Sequence, residues 1–124
     1  MVRGALCLFA ALLPSFAWAV DPVRVPRRVA RELAGDWKGA DDATYRIVAA
    51  GRMVSVEDPI DADGERFTIQ AVDYVGRRLQ WTYLVPSTGY VVTMRVEDAS
   101  NDTLEISWTN QKTSGVEVIT RRTE

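Results

Sequence analysis

The chain has 124 residues, 47% of them hydrophobic and 26% charged, with a formal charge of −2. That is the size and make-up of one globular domain, since domains run about 100–200 residues. It contains no histidine and its one cysteine is Cys7, which excludes serine–histidine triads, cysteine–histidine pairs, histidine metal sites and thiolate zinc sites.

Residues 1–19 read as a secretory signal peptide. Arg3 supplies a positive start, Ala5 to Leu13 an apolar core, Pro14 a break, and Ala17-Trp18-Ala19 the small-x-small form of a cleavage site. The apolar run is too short to span about 30 Å of hydrocarbon. No second run follows, so no membrane span is expected after cleavage, and the expected location is secreted or periplasmic. Cleavage after Ala19 removes Cys7, so the mature chain forms no disulfide. It also removes Arg3, leaving 14 of the 15 basic side chains against 17 acidic ones. A nucleic-acid partner favours a strongly basic face, and none is expected.

Residues 20–32 form a separate segment in composition. Arg24, Arg27, Arg28 and Arg31 face only Asp21 and Glu32. Pro22 and Pro26 predict an extended backbone that does not readily join a sheet. Val29 and Leu33, spaced i, i+4, predict one or two helical turns from Pro26 to Glu32, with Pro26 at the first helical position. Two readings stand. One is a lid helix closing an end of the following sheet. The other is a basic arm that meets a partner through Val20, Arg24, Arg27 and Arg28.

From Leu33 to the end, residues 33–124, the apolar period is two, which predicts eight short strands. Leu33 to Gly39 places Leu33, Gly35 and Trp37 on one face, and Thr44 to Ala49 places Tyr45 and Ile47 together. Met53 to Glu57 pairs Val54 with Val56, and Arg66 to Asp73 aligns Phe67, Ile69 and Ala71. Arg78 to Val85 aligns Leu79, Trp81, Tyr83 and Val85, and Tyr90 to Glu97 aligns Tyr90, Val92, Met94 and Val96. Thr103 to Asn110 aligns Leu104, Ile106 and Trp108, and Val116 to Arg122 aligns Val116, Val118, Thr120 and Arg122. The connections, such as Gly51-Arg52, Asp63-Gly64 and Gly76-Arg77, carry turn chemistry and leave no room for a crossover helix, so neighbouring strands are antiparallel. The expected fold is all-β: an eight-stranded antiparallel up-and-down barrel with a short N-terminal helical turn. A two-sheet sandwich is the competing arrangement.

The run Leu33-Ala34-Gly35-Asp36-Trp37 resembles the Gly-x-Trp signature of lipocalin-like (calycin) barrels. The resemblance implies that Trp37 closes the barrel floor, that a short helix precedes it, and that an arginine of the last strand packs across its ring. The inward parity expected for the last strand assigns that role to Arg122. Full lipocalins are longer and carry a long loop over an open cavity, and nothing that long is present here. The expected inward set is bulky, and an eight-stranded barrel is only just wide enough for its own side chains. The same run after an N-terminal segment is also similar to small bacterial metalloprotease-inhibitor barrels. That likeness implies a free amine at Val20 as the inhibitory group, although those inhibitors typically have a disulfide.

No residue pattern supports catalysis or a cofactor, and none is expected. Glu57, Asp58, Asp61, Asp63 and Glu65 make an acidic loop whose register fails an EF-hand, because Pro59 would hold the first ligand position. It reads as a solvated turn. Asn101-Asp102-Thr103 matches a glycosylation sequon at an expected hairpin tip. The sequence therefore points to an exported, monomeric, non-catalytic binding module. Its expected ligand is a small apolar or aromatic molecule at a mouth containing Tyr45, Tyr83 and Tyr90. The alternative is a protease inhibitor or protein-interaction module that acts through the arm.

Overall fold

The computed structural model describes residues 20–123. The expected signal segment, residues 1–19 with Cys7, lies outside the described residues. The elements are β1 (Val23–Arg24), α1 (Arg27–Leu33), β2 (Gly35–Lys38), β3 (Thr44–Ala50), β4 (Met53–Val56), β5 (Thr68–Val75), β6 (Arg78–Val85), β7 (Tyr90–Ala99), β8 (Thr103–Thr109) and β9 (Ser114–Arg121). The sheet order is β1-β4-β3-β2-β9-β8-β7-β6-β5, with every pairing antiparallel. This is an up-and-down barrel, nearly closed, with one short helix. No strand ladder joins β4 to β5. Among the described residues no helix is long and apolar enough to cross a membrane.

The eight expected strands are present, and β1 is a ninth. Val23 pairs with Val54 and Arg24 with Met53, and the Val25 N–H donates to Arg52 O at 2.8 Å. The prolines were expected to keep this segment off the sheet. They do not, because proline is tolerated on edge strands, and a two-residue edge strand fits between Pro22 and Pro26. Val25 is buried, and β1 also touches β5 across the open seam. Pro26 is the cap before α1, with extended backbone, and not its first helical residue.

The alternation places Trp37, Tyr45, Ile47, Val54, Val56, Leu79, Trp81, Met94, Leu104 and Ile106 in one core. Each such side chain contributes about 1.5–3 kcal/mol by leaving water. The β5–β6 hairpin turns on Gly76 and Arg77, both at positive φ (59° and 66°). Such a two-residue turn matches the twist of the flanking strands.

Two expected faces shift, those of β5 and β9, and β7 carries a bulge just past its expected run. In β5 the register jumps between Ile69 and Ala71, so the extra residue turns Ala71 away and brings Val72 and Tyr74 inward. A second jump between Val96 and Asp98 in β7 returns Ala99 to the core side. The whole of β9 is inverted relative to the expectation. Ile106 pairs with Glu117, Leu104 with Ile119 and Trp37 with Arg121, and directly opposed residues share a face. Gly115, Glu117, Ile119 and Arg121 therefore point inward. Val116 and Val118 are 65% and 51% exposed. The inversion has a steric cause at Gly115, where a Cβ would lie 2.7 Å from the Trp108 ring. Only glycine fits opposite that indole.

Candidate functional site

The barrel has two unlike ends. The lower end collects α1, the start of β2 and the turns after β3, β5 and β7. The upper end collects residues 39–43, the long connection 57–67, and the turns after β6 and β8.

At the lower end Trp37 is fully buried, and its indole N–H donates to Leu33 O at 2.9 Å. The arginine across its ring is Arg121, with its guanidinium carbon 4.2 Å from the ring centroid. The expectation had assigned this place to Arg122, and the inverted parity of β9 is the reason for the change. Arg122 instead donates its backbone N–H to Asp36 O at 2.8 Å. The Arg121 fork also donates to three carbonyls: Ala34 (2.9 Å), Glu32 (3.1 Å) and Asn101 (3.1 Å). Gly35 has φ of +140°, and a Cβ there would lie 2.6 Å from Arg121 Nη1. Its small size lets the guanidinium lie against the backbone. Helix α1, β2 and β9 are thus clasped by one cation.

The expected arm residues are on the same molecule but do not form an arm. Val20 is half-buried, Arg24 sits in β1, and Arg27 and Arg28 open α1, all three arginines being exposed. The acidic connection is held by its own carboxylates. Asp61 Oδ1 accepts the N–H groups of Asp63 and Glu65, Asp58 Oδ1 accepts that of Ile69, and Glu65 accepts the N–H and hydroxyl of Ser87. Among the described residues no group of His, Cys, Asp and Glu side chains is arranged to hold a metal ion.

At the upper end the phenols of Tyr45 and Tyr83 come together. Phe67 stacks on Tyr83 at 5.0 Å between centroids, and Trp81 lies 6.2 Å from Tyr45. Tyr90, the third residue expected here, begins β7 at the rim. Its ring faces Lys112 Nζ at 5.7 Å. Burial pushes both phenols up, Tyr83 to about 12. Trp81 Nε1 is fully buried and has no hydrogen-bond partner among the described residues.

The inward positions grade from closed to open. Leu79, Trp81, Met94, Leu104, Ile106 and Ile119 are fully enclosed, whereas Val85, Tyr90, Val92, Trp108 and Glu117 on the same inward faces are only half-buried. The barrel is therefore packed below and wet above. Glu117 went unrecognised in the sequence because its neighbours Val116 and Val118 drew the apolar face to the wrong side. The steric demand of Trp108 on Gly115 was the signal that would have corrected it.

Glu117 carries a raised pKa because burial disfavours its charge, with Asp41 adding to the rise. A carboxyl raised on folding stabilises the fold below its ordinary value of 4.5, and that stabilisation is lost as pH rises through the raised value. Asp36, lowered chiefly by its hydrogen bond from Arg46, works in the opposite direction and acts at lower pH. Glu117→Gln therefore gives a protein whose urea midpoint exceeds wild type near pH 7, with the gap shrinking towards about pH 4. A gap that stays constant between these two conditions would show that Glu117 does not titrate abnormally.

Comparison with known proteins finds no matching family model, no matching curated protein and no matching solved structure.

Proposed function

We propose that this chain is an exported, non-catalytic binding barrel of lipocalin-like kind whose upper mouth holds a small apolar or aromatic molecule. The observation that carries the reading is the exposure gradient along the inward faces. A barrel built only for stability gains by closing both ends, whereas Val85, Tyr90, Val92 and Trp108 remain partly wetted. Ligand sites are concave and mostly apolar, with a few placed polar groups. Here the polar groups are the phenols of Tyr45 and Tyr83. The clasp of Gly35, Trp37 and Arg121 supports the lipocalin-like reading, because it reproduces the closed-end arrangement that the resemblance implies. An arm acting alone is less suited, since Val23 to Val25 are engaged with β4.

The neutral fluorophore N-phenyl-1-naphthylamine tests this. Saturable one-to-one enhancement is expected, weakened about tenfold or more by Trp108→Ala or Tyr90→Ala in variants that retain the wild-type circular dichroism. Absence of saturable enhancement, or enhancement indifferent to both substitutions, would sink the reading.

A further inference from the structure

Glu117 is an anomaly in a barrel wall. It pairs with the fully buried Ile106, lies between the inward Gly115 and Ile119, and so belongs to the inner face. No hydrogen bond or ion pair to another described residue holds its carboxylate. Asp41 acts on it, it acts in turn on the phenols of Tyr45 and Tyr83, and none of the three is a cation. Even half-burying a carboxylate without a partner carries a cost, and sites that keep such groups are candidates for function.

The surroundings narrow what the missing partner is. Around this end stand four inward aromatic rings, those of Tyr45, Phe67, Tyr83 and Trp108. Aromatic faces attract cations, and an inward carboxylate attracts them further. The rim adds Asp41, whereas Asp42 is already paired with Lys38 at 3.1 Å and Lys112 stands over the Tyr90 ring. The end of the barrel thus offers one unpaired anion and aromatic faces.

We infer that the mouth binds a small organic cation, an ammonium group on an apolar or aromatic body, with Glu117 as its counter-ion. The inference rests on the proposed mouth reading and specifies its ligand class. The ammonium meets the Glu117 carboxylate, and the apolar body lies among the rings of the mouth.

Calorimetric titration with three probes of matched size tests it: 2-phenylethylammonium, the neutral 2-phenylethanol and the anion phenylacetate. The ammonium is expected to bind at least tenfold more tightly than the alcohol, and the anion more weakly than either. Glu117→Gln is expected to abolish the preference for ammonium over alcohol, and Glu117→Asp to keep part of it. Circular dichroism confirms that each variant is folded. Equal affinity for ammonium and alcohol, or a preference that survives Glu117→Gln, overturns the inference. So does failure of the ammonium to bind a protein that does bind N-phenyl-1-naphthylamine, and in each of these cases binding of that fluorophore leaves the mouth reading intact. If neither the fluorophore nor any of the three probes binds, both fall.

Discussion

Trp37→Ala is expected to lower the unfolding free energy by about 3–5 kcal/mol, the usual cost of deleting a large buried aromatic side chain. Trp37 has no exposed surface, so the substitution leaves a cavity that the rigid start of β2 cannot fill. It also strips Leu33 O of its indole donor and removes the ring beneath Arg121. Three losses fall on one residue. Because domains are stable by only about 5–15 kcal/mol, this is a large share of the total. Urea denaturation checks it. A midpoint equal to wild type would show that Trp37 merely fills space that its neighbours can reclaim.

Arg121→Ala is expected to cost about 2–3 kcal/mol, since charge-assisted hydrogen bonds contribute more than neutral ones and the site is partly wet. Arg121→Lys is expected to recover less than half of that loss. A lysine ammonium supplies charge but not the planar fork that reaches Ala34, Glu32 and Asn101 together. The nearby Asp102 carboxylate, 3.9 Å away and well exposed, adds little. Thermal and urea unfolding of both variants distinguish the two contributions. Full recovery by lysine would mean that charge alone holds the lower end.

The strands with unbroken alternation were legible. Leu79-Gln80-Trp81-Thr82-Tyr83 and Leu104-Glu105-Ile106-Ser107-Trp108 allow one face only, and both faces are as expected. Bulges were not legible, because Gln70 and Glu97 look like ordinary outward residues until a partner strand leaves them unpaired. In β9 the local pattern actively misled. Val116 and Val118 are the most apolar pair in that strand, and yet β8 dictates the opposite face. One such reversal exchanged Arg122 for Arg121 and hid Glu117. Tyr45 and Tyr83 were found because their strands kept phase, and Glu117 was missed because its strand did not.

The clasp also has a meaning in time. The hairpins from β5 to β9 form between neighbours in sequence, whereas Arg121 meets Ala34 across 87 residues. Contacts that join such distant stretches carry a large loop-closure cost and slow the search for the native state. A five-stranded meander can assemble before β2 finds β9, so the cation–indole contact belongs to the last stage of folding. Interactions made that late act chiefly on the rate of escape from the native state. Arg121 is then less a builder of the barrel than a latch that sets its lifetime.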